Sequence, residues 1–153
     1  MIVGVLKEIK TEENRVAMTP AGVEVLKQNH HQVLVEKNAG AGSGFDDRVY
    51  AASGAEIVKT AREIYERAEM VMHVKEPLPE EYALLREDQI IFTYLHLAAM
   101  KKLTAVLVKS RSICIAYETI QKADGSLPLL MPMSEVAGRM SILKGAQYLE
   151  IAC

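Results

Sequence analysis

Six short apolar stretches punctuate the chain, at residues 1–6 (MIVGVL), 32–36 (QVLVE), 56–59, 70–75 (MVMHVK), 89–95 (QIIFTYL) and 112–117 (SICIAY). Each is short and rich in apolar or β-branched residues, with little polar alternation, as expected of buried strands. Helical spacing fills most of the gaps. Thr19 stands as a cap ahead of Pro20, where the missing N–H of proline does no harm, and Val23 and Leu26 follow on one face up to His30. A short helix is expected over 46–53, stopped by Gly54, and Thr60 caps another running to Arg67. Further helices are expected near 79–86 and over 101–109. Apolar strands alternating with helices predict an α/β fold, a parallel, Rossmann-like or flavodoxin-like sheet with helices on both faces.

From Ser134 onward Val136, Met140, Leu143, Ala146, Gln147 and Ile151 keep helical spacing, a stripe that calls for a partner surface. The sequence stops at Cys153 without a glycine cap or a basic last turn. This pattern predicts a helix from Ser134 onward, in a chain cut from something longer.

Composition narrows the function classes. The chain has 153 residues, half of them hydrophobic, and 18 basic residues face 20 acidic ones for a net charge of −2. One ordinary domain fits that length. The near balance of charge gives no footprint for nucleic acid and no polybasic stretch for a membrane surface. No apolar run reaches the ~18 residues that a membrane span needs. Cys114 and Cys153 have neither C-x-x-C spacing nor the density of a disulfide scaffold, so a reduced, cytoplasmic compartment is expected. The four histidines lack metal-ligand spacing, and no metal site is expected.

The loop over 38–44 (NAGAGSG) carries Gly40, Gly42 and Gly44 between a strand and a helix, the context of a dinucleotide fingerprint. Its spacing is G-x-G-x-G, and the following helix starts with Asp46 and Asp47. Two carboxylates there satisfy the free N–H groups and repel phosphate. The loop therefore reads as a structural tight turn.

Four polar side chains fall beyond the ends of strands, where a parallel sheet builds its site. Arg15 follows the first strand, Lys75 ends the stretch at 70–75, and Tyr94 and His96 end the next. An arginine fork suits a carboxylate, a lysine donates to a carbonyl or carboxylate oxygen, and a histidine exchanges protons near neutral pH. Together they suit a small keto or amino acid. Each also has a plainer reading: Arg15 as a solvated loop charge, Lys75 as a partner of Glu76, and His96 as a satisfied structural histidine. His73, alternating with Met72 and Val74, reads as structural. His30 and His31 end a helix, where imidazolium suits the dipole.

GVLKE (4–8), NRVAMTP (14–20), HVKEP (73–77) and FTYLHLA (92–98) occur in the order and near the spacing found in alanine dehydrogenase, which the whole chain resembles. NRVAMTP and the lysine are shared with the alpha subunit of nicotinamide nucleotide transhydrogenase; the YLH segment favours alanine dehydrogenase. The resemblance implies that Arg15 and Lys75 bind pyruvate or L-alanine and that His96, with Lys75, is catalytic. It also implies that Tyr94, Leu130 and Met133 line the site and that Ser134 lies near the cofactor, NAD. The family's NAD-binding domain would follow Cys153, and a last stretch would return to complete the substrate domain. A chain without them is expected to bind substrate weakly at most, and the complete enzyme to be a homohexamer or dimer. The alternatives are a transhydrogenase alpha-like subunit and a non-catalytic binding or assembly module.

Overall fold

A computed structural model describes residues 1–150, so Ile151 of the expected stripe and the terminal Cys153 lie outside the described residues. The chain divides into two units, Met1–Ala116 and Tyr117–Cys153. The first contains six strands: β1 (Ile2–Val5), β2 (Gln32–Glu36), β3 (Glu56–Val58), β4 (Met70–Met72), β5 (Ile90–Thr93) and β6 (Ile113–Ala116). Its helices are α1 (Pro20–Gln28), α2 (Asp47–Ala52), α3 (Ala61–Arg67) and α4 (Lys101–Ser110). All the strands pair in parallel, in the order β3-β2-β1-β4-β5-β6. The order reverses between β1 and β4. At such a switch point the connections leave in opposite directions and open a crevice beyond the carboxyl ends of the strands.

The helix starts form as their sequences dictate. The side chain of Thr19 accepts from the Gly22 N–H, with Pro20 as first helical residue. Asp46 accepts from the Arg48 and Val49 N–H groups, and Thr60 accepts from Glu63. Three expectations need correction. Residues 79–86 form only a single 3-10 turn, Tyr82–Leu84, because Pro77 and Pro79 precede it and Glu81 is turned inward onto buried partners. The strand expected over 70–75 ends at Met72; the His73 N–H still bonds the Phe92 carbonyl, but the Val74 and Lys75 N–H groups turn to a side chain from the first loop. α1 ends at Gln28, and His30 follows with φ +62°, so neither His30 nor His31 lies in the helix.

One face of the sheet carries Leu6, Leu34, Val71 and Ile91 under Ile64, Tyr65 and Ala68 of α3 and the residue after it. Cys114 continues this face toward Leu103 and Leu107 of α4. Burying each large apolar side chain contributes roughly 1.5–3 kcal/mol. On the other face, Val5, Val33 and Val35 are covered by Val23 of α1 and Tyr50 of α2. That cover stops partway. In register, the row Val35, Val5, Met72, Phe92, Ile115 runs from fully buried to 37% exposed. The parallel row Val33, Val3, Met70, Ile90, Ile113 ends at 48%. Helices lie on both faces, yet β4 to β6 are bare on one of them.

The second unit opens with a 3-10 turn at Tyr117–Thr119 and a turn with Gly125 at φ +85°. It ends in α5 (Met131–Glu150), which starts three residues ahead of the expected Ser134. Val136, Met140 and Leu143 of the expected stripe are exposed, and so are Ile142 and Leu149 on the far side of the helix.

Gly4 marks the tightest approach of α3 to the sheet. A Cβ there would overlap the Cγ2 of Ile64 and stand 3.0 Å from the Cβ of Ala68. Gly4→Ala should therefore cost about 1–3 kcal/mol by overpacking, read as a lower urea midpoint at unchanged slope. A midpoint equal to that of the wild type would show that α3 yields to the added methyl.

Candidate functional site

Beyond β1 and β4 the chain leaves the sheet on either side of the switch point, and their last residues must find new hydrogen-bond partners. The Leu6 N–H still reaches the Met72 carbonyl at 3.3 Å. Past it, a side chain takes over. Glu8 Oε1 accepts the Val74 N–H at 2.6 Å and the Lys75 N–H at 3.4 Å. The same oxygen lies 3.3 Å from His73 Nδ1, and the other ring nitrogen, Nε2, lies 3.0 Å from Glu81 Oε1. Glu81 Oε2 accepts the Leu78 N–H at 2.9 Å, and the Tyr65 hydroxyl donates to Glu81 Oε1.

The side chains of Glu8, His73 and Glu81 are all at least nine-tenths buried. Burial alone would pull the His73 pKa down, but hydrogen bonds to Glu8 and Glu81 outweigh it and push it up to about 9. The ring is then an imidazolium donating to a carboxylate on each side. Burial raises the Glu81 carboxyl, and the bond and charge of His73, with smaller contributions from the Leu78 N–H and the Tyr65 hydroxyl, together reverse that, so its pKa is lowered. Burial, reinforced by the charge of Glu81, pushes the Tyr65 phenol well up.

Lys75 is fixed at both its backbone groups: Glu8 takes its N–H, and the Thr93 hydroxyl donates to its carbonyl at 2.8 Å. Arg15 is held differently. Its Nε donates to Glu13 Oε1 at 2.7 Å, its Nη2 to Oε2 at 2.6 Å, and its backbone N–H to Oε1 at 3.0 Å. The bond to Arg15 holds the Glu13 carboxyl below its ordinary value against burial, with a smaller lowering by the Lys75 charge. The same pair raises Arg15, and the charges of Tyr94 and Glu8 add to it. Arg15 is thus a paired side chain at a cleft of about 120 Å³, lined by Lys7, Glu8, Glu13, Asn14 and Gly42 among others.

The glycine-rich loop supports this cleft. Ser43 Oγ donates to the Asn14 carbonyl at 2.8 Å, and a Cβ on Gly42 would stand 2.9 Å from that oxygen. Its neighbouring helix start is occupied as expected: Asp46 takes the Arg48 and Val49 N–H groups, and Asp47 Oδ1 accepts the Asn38 N–H at 2.8 Å. These carboxylates do not fit a dinucleotide's pyrophosphate.

One strand along, Tyr94 and His96 follow β5. Their rings stack with centroids 6.1 Å apart. His96 has φ +50°, a left-handed conformation that turns the chain into the 3-10 turn Leu97–Ala99. Its side chain is half exposed, unlike that of His73, and its Nδ1 lies 3.5 Å from Glu76 Oε2. Glu76 pairs with Lys10, 2.6 Å from Oε1, and not with Lys75. Burial raises the Glu76 carboxyl, but Lys10 outweighs burial and lowers it, so Glu76 is a carboxylate at neutral pH.

Arg15, Lys75, Tyr94 and His96 therefore come to the same end of the sheet, beyond β1, β4 and β5. Leu130, Met133 and Ser134 belong to the second unit: Leu130 precedes α5, and the Ser134 N–H donates to its carbonyl. Sequence reasoning missed Glu8, Lys10, Glu13, Glu76 and Glu81, and took His73 for a strand residue. Glu8 and Glu76 do lie inside the quoted GVLKE and HVKEP segments. Among the described residues no group of His, Cys, Asp or Glu is placed to hold a metal ion, and no helix is long and apolar enough to cross a membrane.

Comparison with known proteins agrees along almost the whole chain. Residues 4–137 match the family described as alanine dehydrogenase/PNT, N-terminal domain. Alanine dehydrogenase of Methanococcus maripaludis is 59% identical over 150 residues, covering 98% of this chain and 40% of the relative. That of Bacillus subtilis is 55% identical, covering 98% of this chain and 39% of the relative. A solved L-alanine dehydrogenase superposes with a TM-score of 0.93 at 49% identity, over 98% of this chain and 41% of the other. A transhydrogenase from Sinorhizobium meliloti shares the fold, with a TM-score of 0.72 at 24% identity over 77% of this chain and 35% of the other. The chain thus spans about 40% of the length of the curated relatives it matches.

The raised His73 sets a pH dependence with a definite sign. Stability from its charge is fully present below pH 6.5, the ordinary value, and is lost as pH rises through about 9. The loss should total on the order of 3 kcal/mol. Urea unfolding at several pH values, compared with His73→Gln, checks this. The wild type should lose stability across that window and the variant should not; parallel curves would remove the charge from His73.

Proposed function

Because the chain belongs to the alanine dehydrogenase/PNT family, we propose that it carries the substrate-binding part of an NAD-dependent L-alanine dehydrogenase. The observation that carries this reading is the placement of Arg15 and Lys75 after β1 and β4, on either side of the switch point, with His96 one strand further on. The reaction is oxidative deamination, in which L-alanine, NAD and water give pyruvate, ammonium, NADH and a proton.

The substrate carboxylate binds Arg15, sharing the guanidinium with Glu13, and a planar fork suits it better than a point charge. Lys75, held at its N–H and carbonyl, donates to the substrate's keto oxygen and stabilises negative charge there. His96 takes a proton from the water that attacks the imine carbon and returns it to the departing amine. Tyr94 lines the site. NAD supplies the hydride acceptor, but the glycine loop with Asp46 and Asp47 does not fit its pyrophosphate, and no step above runs through that loop.

In the same reading, residues 1–133 are the substrate domain and 134–153 connect it to an NAD domain carried by the remaining length of the relatives. A returning stretch of that length covers the bare rows on β4 to β6. The complete enzyme is a cytoplasmic homohexamer or dimer, and this chain alone does not turn over.

A chimera tests this: residues 1–150 replace the matching segment of the Methanococcus maripaludis enzyme. It should reduce NAD in an alanine-dependent way, which a transhydrogenase-like or purely binding segment would not support. In that chimera His96→Ala should lower turnover about 10²-fold or more, as for a lost acid–base group. Arg15→Lys should mainly raise the KM for pyruvate. Turnover near wild type in the first variant, or an unchanged KM in the second, would remove that residue from the mechanism.

A further inference from the structure

Glu76 is a buried carboxylate that the mechanism does not use. It follows Lys75 directly, is 6% exposed, and is ionised through Lys10, whose Nζ donates to Oε1 at 2.6 Å. Its second oxygen, Oε2, is buried and accepts no hydrogen bond, an expensive state for a carboxylate. His96 Nδ1 stands 3.5 Å from that oxygen. Two further features bring the ring there: the left-handed backbone at His96 and the stacking on Tyr94. A non-glycine residue in that backbone region is uncommon and is kept where the surroundings hold it.

We propose that Glu76 is a positioning residue for His96, selecting the tautomer in which Nδ1 carries the proton and Nε2 is the basic nitrogen. The role assigned to His96 rests on the alanine dehydrogenase reading; the tautomer does not. A neutral imidazole has one donor and one acceptor nitrogen, and the bond made by one sets the state of the other. An ionised carboxylate only accepts, so its charge favours the form in which the facing Nδ1 carries the proton. The ring of a histidine in water prefers the opposite form, with the proton on Nε2. Glu76 thus makes Nε2 the basic nitrogen without touching substrate. Lys10 keeps Glu76 charged, which makes the loop after β1 part of the same device.

The reading yields a discriminating substitution. In Glu76→Gln the shape is kept, but the Lys10 ammonium can only donate and so claims the amide oxygen. The amide NH₂ then faces His96 Nδ1 and forces it to accept, moving the proton to Nε2.

The test is a long-range proton–nitrogen correlation spectrum of the ¹⁵N-labelled 153-residue chain, without substrate, at a pH where the His96 ring is neutral. Nδ1–H is expected as the major form in the wild type and Nε2–H in Glu76→Gln. The wild-type spectrum by itself preserves a test should Glu76→Gln fail to fold: Nε2–H as the major form there, or Nδ1–H persisting in a folded Glu76→Gln, overturns the proposal. Since no substrate is present, either result is independent of whether the chimera oxidises alanine.

Discussion

The site depends on a buried imidazolium between two carboxylates. Where β1 and β4 end, the backbone N–H groups of Val74 and Lys75 would face the interior without partners, a cost of about 1–3 kcal/mol for each unsatisfied group. Glu8 supplies the acceptor, and a buried carboxylate needs a charge beside it. His73 provides that charge for Glu8 and for Glu81 at once. Breaking such a buried set leaves an uncompensated charge, whereas the intact set adds little net stability. What it contributes is position. The loop bearing Arg15 starts from the residue that bonds the Lys75 N–H, so the two cations of the site are referenced to one carboxylate.

The same loop is fixed from its other side by the glycines that mimic a nucleotide motif. Gly42 lies where a methyl would press on the Asn14 carbonyl, and Ser43 bonds that carbonyl. Here the small residue lets two backbones approach, which is one of the uses glycine has in a phosphate loop. The difference is what the backbone approaches. In this chain it is the strand-end loop carrying Arg15, and Asp46 and Asp47 use up the donors that a phosphate would need.

The sheet has two unequal halves. On the side of β1 to β3, helices close both faces and the valines are wholly buried. On the side of β4 to β6, Met72, Phe92 and Ile115 continue the same row with progressively less cover. Such a surface, when contiguous, marks an interaction site.

Much of the fold was legible in the sequence, because strand and cap signals are local. Thr19, Asp46 and Thr60 each capped the helix they precede, and the apolar run at 32–36 became β2 residue for residue. The helix expected near 79–86 was not there, because Glu81 was claimed by His73, eight residues back, which the i, i+3 and i+4 spacings of a helix do not bring together. Candidate residues Arg15, Lys75, Tyr94 and His96 were legible as polar side chains after strands, a position fixed by chain order. The sequence by itself determined which residues form strands, where helices begin, and which cations follow the strands. Strand order was decided only by tertiary structure, and with it the switch point that sets Lys75 across from Arg15. The pairings of Glu8 with His73, Glu13 with Arg15 and Glu76 with Lys10 and His96 arose there too. Glu8–His73 and Lys10–Glu76 join residues 65 and 66 positions apart, and the attraction between charges depends on distance in space, which spacing along a chain does not encode.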